Sequence, residues 1–142
     1  MNKNILVIGT LALDSIQTPS LDSGVILGGA ATYISFAISK ISNKFGIVSV
    51  VGDDFPLKYL NRIKSTGADI SGVEIIKNKQ SFFWSGRYHV DINKRTTVDT
   101  KLGVLENFNP IIPKKFTDSN IVVLGNLHPS VQNKSINQLL GK

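Results

Sequence analysis

Apolar and polar positions follow different periods along the chain, and each period predicts a different element. "NILVIG" (Asn4 to Gly9) and "FGIVSVVG" (Phe45 to Gly52) are unbroken runs rich in branched apolar residues, the pattern of strands covered on both faces in a parallel sheet. From Ala30 to Ile41 the residues Ala30, Ile34, Ala37, Ile38 and Ile41 recur at helical spacing, so a helix begins directly after Gly28 and Gly29. "PLKYLNRIKSTG" predicts a second helix, opened by Pro56 and closed by Gly67. "SNIVVLGNL" (Ser119 to Leu127) returns to the buried-strand pattern, and "PSVQNKSINQLLGK" starts one more helix. The strand–helix alternation implies a mostly parallel sheet with helices on its faces, because each return to a parallel strand needs a crossover.

Two stretches break this rhythm. "TLALDSIQTPSLDSGVIL" mixes apolar residues with Asp14, Pro19 and Gly24, which suits short strands or a hairpin. After Gly72, "SFFWSGRYHV" alternates so that Phe82, Trp84, Tyr88 and Val90 point one way and Ser85, Arg87 and His89 the other, as in a half-covered antiparallel strand. Its neighbours "GVEIIKN" and "KRTTVDTKL" join it through the polar turns "KNKQ" and "DINK", so a small meander is expected outside the main sheet. No repeat, low-complexity segment or linker is present.

Composition narrows the chemistry. The 142 residues, 42% hydrophobic and 18% charged, suit one globular unit with a real core. No apolar run is long enough for a membrane span and no small-residue cleavage pattern follows the first strand, so a cytoplasmic location is expected. Cysteine is absent and His89 and His128 are far apart, so neither a disulfide framework nor a metal held by side chains alone is expected. The net charge of +6 is spread along the chain, with Lys94-Arg95 and Lys114-Lys115 the adjacent basic pairs, which reads as a solvated surface and not as a nucleic-acid interface.

The order and spacing of four features resemble the N-terminal half of the PfkB, or ribokinase-like, carbohydrate kinases. "IGTLALDS" is similar to the family's opening strand ending in an acidic residue, "LGGAATYISFA" to its Gly-Gly helix start, "VSVVGDDF" to its Val-Gly-x-Asp segment, and the meander to its substrate lid. The resemblance implies an α/β fold with a mostly parallel sheet and a β-lid, with lid strands at about 11–27 and 71–101 in a single kinase domain. It also implies transfer of the ATP γ-phosphoryl group to a sugar or nucleoside hydroxyl. Family members run to about twice this length and keep the ATP and Mg²⁺ site, with its Gly-Ala-Gly-Asp segment and catalytic aspartate, in the other half. Residues 100 to 142 offer no substitute, and "LLGK" ends mid-helix by pattern. The expectation is therefore a chain stopping before the ATP-binding half, with no catalytic base before Lys142, no tight ATP or Mg²⁺ binding, and no activity alone. An exposed sheet edge and apolar surface would then favour aggregation.

Candidate substrate contacts follow. Gly28 and Gly29 either relieve a tight strand-to-helix turn or let a polyhydroxylated substrate pack on the backbone and use the N–H groups of the helix start. Asp14 is either a turn former or, as the resemblance implies, an acceptor for sugar hydroxyls at a strand's carboxyl end. The resemblance also puts Asn126 near the sugar pocket. Trp84 and its face either cover the substrate, with Arg87 or Asp99 reaching its polar groups, or pack the lid onto its own domain or onto a second copy's lid in a homodimer. Asp53 and Asp54 are expected to cap the helix that follows them. Two amides usual in the family are replaced here by Ala12 and Tyr33, which implies a nucleoside or a less typical sugar as acceptor. A non-catalytic sugar- or nucleoside-binding module is the alternative. A dinucleotide-binding oxidoreductase is excluded because Gly9 lacks the G-x-G-x-x-G spacing.

Overall fold

The computed structural model describes residues 4–140, so the helical pattern expected to run through Gly141 and Lys142 lies outside the described residues at those two positions. Four strands, β1 (Ile5–Ile8), β4 (Phe45–Gly52), β5 (Ala68–Ile76) and β8 (Ile121–Leu124), form a parallel sheet in the order β5-β4-β1-β8. The pleat divides the core. Ile5 and Val7 of β1 join a cluster with Ala31 and Ile38 of α1 (Ala30–Ile38) and Leu60 and Ile63 of α2 (Leu57–Lys64). Leu6 and Ile8 face the other way, onto Val104, Phe108, Ile112 and Phe116 of the irregular 103–116 segment, with Val131 and Leu139 of α3 (Pro129–Leu140) alongside. Leu6, Val7 and Ile8 are fully buried, and each such side chain stabilises the fold by about 1.5–3 kcal/mol.

The second sheet, ordered β3-β2-β6-β7, contains β2 (Ala12–Thr18), β3 (Leu21–Gly28), β6 (Phe83–Tyr88) and β7 (Arg95–Lys101). β2 and β3 form the expected hairpin, and β6 and β7 are antiparallel, but β2 and β6 run parallel. Leu13 and Leu27 bury in the α1–α2 core cluster and Phe83 packs against it, so this face anchors the sheet near the carboxyl ends of the main strands.

Four expectations change. Residues 72–76, assigned to the meander and to the lid range 71–101, lie in β5 and pair with β4 in the main sheet. As an outer strand, β5 is only half covered, so its sequence reads like that of a meander. β8 was expected to be buried on both faces, yet Ile121 is 40% exposed and the rest of the strand half-buried, because β1 is its one partner among the described strands. α1 stops at Ile38 instead of Ile41, which is 82% exposed; the Ser39 hydroxyl donates to Phe36 O at 2.8 Å as the helix turns out. Its buried stripe is Ala31, Thr32, Ser35 and Ile38, not the purely apolar one. The two hydroxyls bury at little cost because Thr32 donates to Gly28 O (2.7 Å) and Ser35 to Ala31 O (2.6 Å).

Phe116 tests whether the 103–116 segment is part of the core. Its buried ring rests against the bare backbone of Gly46. Phe116→Ala is expected to cost about 3–5 kcal/mol in urea unfolding, and an unchanged midpoint would show that the segment is only draped over the sheet.

Candidate functional site

The carboxyl ends of β1 and β8 meet the start of α1 at Thr10, whose buried side chain organises the region. Its hydroxyl accepts the Ala30 N–H at 3.1 Å and donates to Asn126 Oδ1 at 2.8 Å, while its carbonyl accepts the Ala31 N–H at 2.9 Å. Thr10 therefore caps α1 from a different loop, in place of the absent side-chain cap at Gly29. Because the hydroxyl proton goes to Asn126 Oδ1, the amide is oriented with its N–H groups left for the cleft that Asn126 lines.

This cleft, about 460 Å³, lies between the start of α1 and one face of the second sheet. Its size falls in the range of small-molecule sites. Asp14, Gly29, Tyr33, Trp84 and Asn126, all picked out in the sequence, line it together. Asp14 is half-buried and has neither hydrogen bond nor ion pair among the described residues. Burial raises its carboxyl above the ordinary carboxylate range.

The two glycines have different roles: Gly29 relieves the tight strand-to-helix turn, one of the two expectations, while Gly28 makes room for a side chain. A Cβ on Gly28 would stand 2.0 Å from Asp14 Oδ2, so the atoms that need this bare backbone belong to the Asp14 carboxylate. Gly29 has φ +94, and a Cβ there would stand 2.4 Å from Thr10 O and 2.7 Å from Ala12 N. The Ala30 and Ala31 N–H groups, expected to serve the substrate, are taken by Thr10.

The pleat separates the remaining candidates. Arg87 and Asp99 do not reach the cleft. Arg87 turns to the opposite face of the sheet, where its guanidinium donates to Gln17 Oε1 at 3.3 Å and lines a hollow of about 520 Å³ beside the Thr18–Asp22 turn. Asp99 stands opposite Ser85 in the ladder and lies 3.8 Å from Lys101 Nζ. That hollow is larger than the cleft but formed by an exposed turn and strand end. In the cleft the cation is instead Arg95, with Phe82, Tyr88 and Ile16 as further walls. Sequence reading missed Arg95 because β7 carries an irregularity at Val98, between Arg95 and Asp99, that changes which residues share a face.

Asp53 and Asp54 cap no helix, since the residue at the start of α2 is Pro56. Asp54 Oδ1 accepts from Ser81 N (2.8 Å) and Ser81 Oγ (2.7 Å), and Asp53 Oδ2 from Asn78 N (2.9 Å), so the pair fastens the 77–81 connection to the end of β4. Among the described residues no three His, Asp or Glu side chains converge as metal ligands, and no helix is long and apolar enough to cross a membrane.

A parallel sheet with a second sheet over its carboxyl ends, and a cleft with one carboxylate between them, defines the ribokinase-like fold. Over nearly its whole length the chain is similar to about half the length of kinases with this fold. A cytidine kinase of Thermococcus kodakarensis is 30% identical over 140 residues, covering 98% of this chain and 49% of that protein. The nucleoside kinase of Methanocaldococcus jannaschii superposes with a TM-score of 0.76 at 21% identity, over 99% of this chain and 50% of the other. The ribokinase of Cryptococcus neoformans var. grubii superposes at 0.71 with 16% identity, over 99% and 46%. The chain thus spans about half the length of the relatives it matches. No protein-family model matches it.

Burial of Asp14 carries a pH signature. With the folded-state pKa raised, ionisation is penalised in the folded protein, so stability falls as pH rises from the ordinary carboxylate range through the folded value. Asp14→Asn is expected to raise Tm at neutral pH, with the gain vanishing on acidification below that range. A gain that persists at low pH would assign it to another cause.

Proposed function

We propose that the cleft binds the hydroxyl-bearing acceptor of an ATP-dependent kinase, and that this acceptor is a nucleoside. The observation that carries the reading is Asp14, a desolvated carboxylate with no partner of its own, lining a cleft walled by Tyr33 and Trp84. Such a group is stabilised by hydroxyls that donate to it, and an aromatic wall suits a planar base better than a second ring of hydroxyls does. The 30%-identical cytidine kinase supports the same choice over a free sugar.

The reaction consistent with this reading is in-line attack of an acceptor hydroxyl oxygen on the γ-phosphorus of ATP. The P–O bond to the ADP leaving group breaks as the new O–P bond forms, and the hydroxyl proton passes to a base. Asp14 and Asn126 fix the acceptor's position, and the second sheet acts as a lid that keeps water from taking its place. The described residues present no cluster of three metal ligands. In this reading the chain alone binds acceptor without turning over ATP.

Calorimetric titration with cytidine is the test. Asp14→Asn is expected to weaken binding about tenfold to a hundredfold, the loss of hydrogen bonds to a charged group, and undiminished affinity would sink the reading. Mixing the chain with ATP, Mg²⁺ and cytidine is expected to release no ADP above background. Equal yields of ADP and phosphorylated cytidine would overturn the inactivity of the chain while upholding the kinase chemistry.

A further inference from the structure

The wall of the cleft opposite α1 is built around the chain's single tryptophan. A Cβ on Gly86 would stand 2.1 Å from the Trp84 ring at Cη2 and 2.4 Å from it at Cζ2, so the indole lies folded down over bare backbone two residues along the same face. Its Nε1–H points to Thr97 Oγ1 at 3.4 Å, on the neighbouring strand. The Arg95 guanidinium stands over the ring, 5.4 Å from its centroid, and makes no ion pair among the described residues. Trp84 is also the ladder partner of Asp14, which places the indole and the carboxylate on adjacent strands about 4.8 Å apart. A flat aromatic surface whose overlying cation, on the exposed Arg95 side chain, a base would displace to its own edge, one strand away from the Asp14 carboxylate, matches the layout of a nucleoside, whose planar base is joined directly to its sugar.

We infer that Trp84, laid down on Gly86, is the platform for the base of the acceptor, and that Arg95 selects which base is taken. The inference rests on the reading of the cleft as an acceptor site. Guanidinium N–H groups only donate, so Arg95 favours an edge with two neighbouring acceptors. Cytosine offers N3 and O2, and hypoxanthine offers N7 and O6, the edge that arginine reads in guanine. Adenine sets an amino donor beside each ring acceptor on those edges, and uracil separates its carbonyls with an N–H, so both are disfavoured. Gly86 is then a specificity residue, because any side chain there lifts the indole into the space of the base.

Trp84 supplies its own signal, since stacking on the indole changes the fluorescence of the one tryptophan in the chain. Cytidine and inosine are expected to quench it saturably, with uridine and adenosine weaker. Ribose is expected to bind with dependence on Asp14 but without quenching. Arg95→Gln should weaken cytidine about tenfold to a hundredfold and level the preference among bases while leaving ribose unchanged. Gly86→Ala should weaken every nucleoside by a similar factor, the value of a base–aromatic stack, again without effect on ribose. Cytidine and ribose binding equally with no quenching, or Arg95→Gln leaving the preference intact, would overturn the base-reading role while the hydroxyl site stands. Binding of neither, in a chain shown to be folded by circular dichroism, would overturn both.

Discussion

One buried hydroxyl holds the site in place. Thr10 has one proton to give and one helix start to satisfy, and its position after β1 lets it do both: it accepts from Ala30 and donates to Asn126. The main chain of Thr10 takes the next N–H of α1, which draws the helix start so close that Gly29 must adopt φ +94 and carry no side chain. The end of β1, the end of β8 and the start of α1 are thereby fixed to one another at the rim of the cleft. A mobile rim would have to be ordered at the moment of binding, and that cost would come out of the affinity.

The same geometry explains why the chain tolerates a desolvated carboxylate. Asp14 sits where the β2–β3 hairpin leaves the main sheet, on strands anchored by Leu13 and Leu27 in the α1–α2 core cluster. Gly28, its near neighbour across the hairpin, leaves room for the carboxylate and offers no side-chain donor to it. A carboxylate set in a shaped recess and denied an internal partner is unfavourable for the fold alone. In the function proposed above it becomes favourable once donors arrive with the acceptor.

The fold was legible where burial and sequence period agree. The runs through Ile5 to Ile8 and Phe45 to Gly52 are covered on both faces, so every position is apolar or small and the reading is unambiguous. β5 was misread because an outer strand of a parallel sheet is half covered and alternates like a lid strand. The stripe of α1 was misread because Thr32 and Ser35 bury hydroxyls that the helix backbone itself satisfies, a pairing that a pattern of apolar letters does not register. Thr10 escaped notice for a related reason: its importance lies in partners 20 and 116 residues away. The glycines Gly28 and Gly29 were found, yet what they make room for could be identified only once Asp14 and the Thr10–Ala12 backbone had positions.

The second sheet shows how much a single irregularity decides. The alternation of β6 already placed Trp84 and Arg87 on opposite faces, so both could not serve one ligand. For β7 the alternation is not enough. Arg95, Thr97 and Asp99 are two residues apart and a regular strand would set them on one face. The ladder pairs Ser85 with Asp99 but Gly86 with Thr97, so Val98 is the extra residue of a bulge and parity inverts across it. Asp99 is thereby carried to the face of Ser85, while Thr97 and Arg95 come round to the face of Gly86 and Tyr88. Had the strand run without the bulge, the cleft would have either lacked Arg95 or gained a second carboxylate, that of Asp99, on the same face. The electrostatic character of the cleft, lined by one carboxylate and one guanidinium, therefore follows from the placement of one inserted residue in β7.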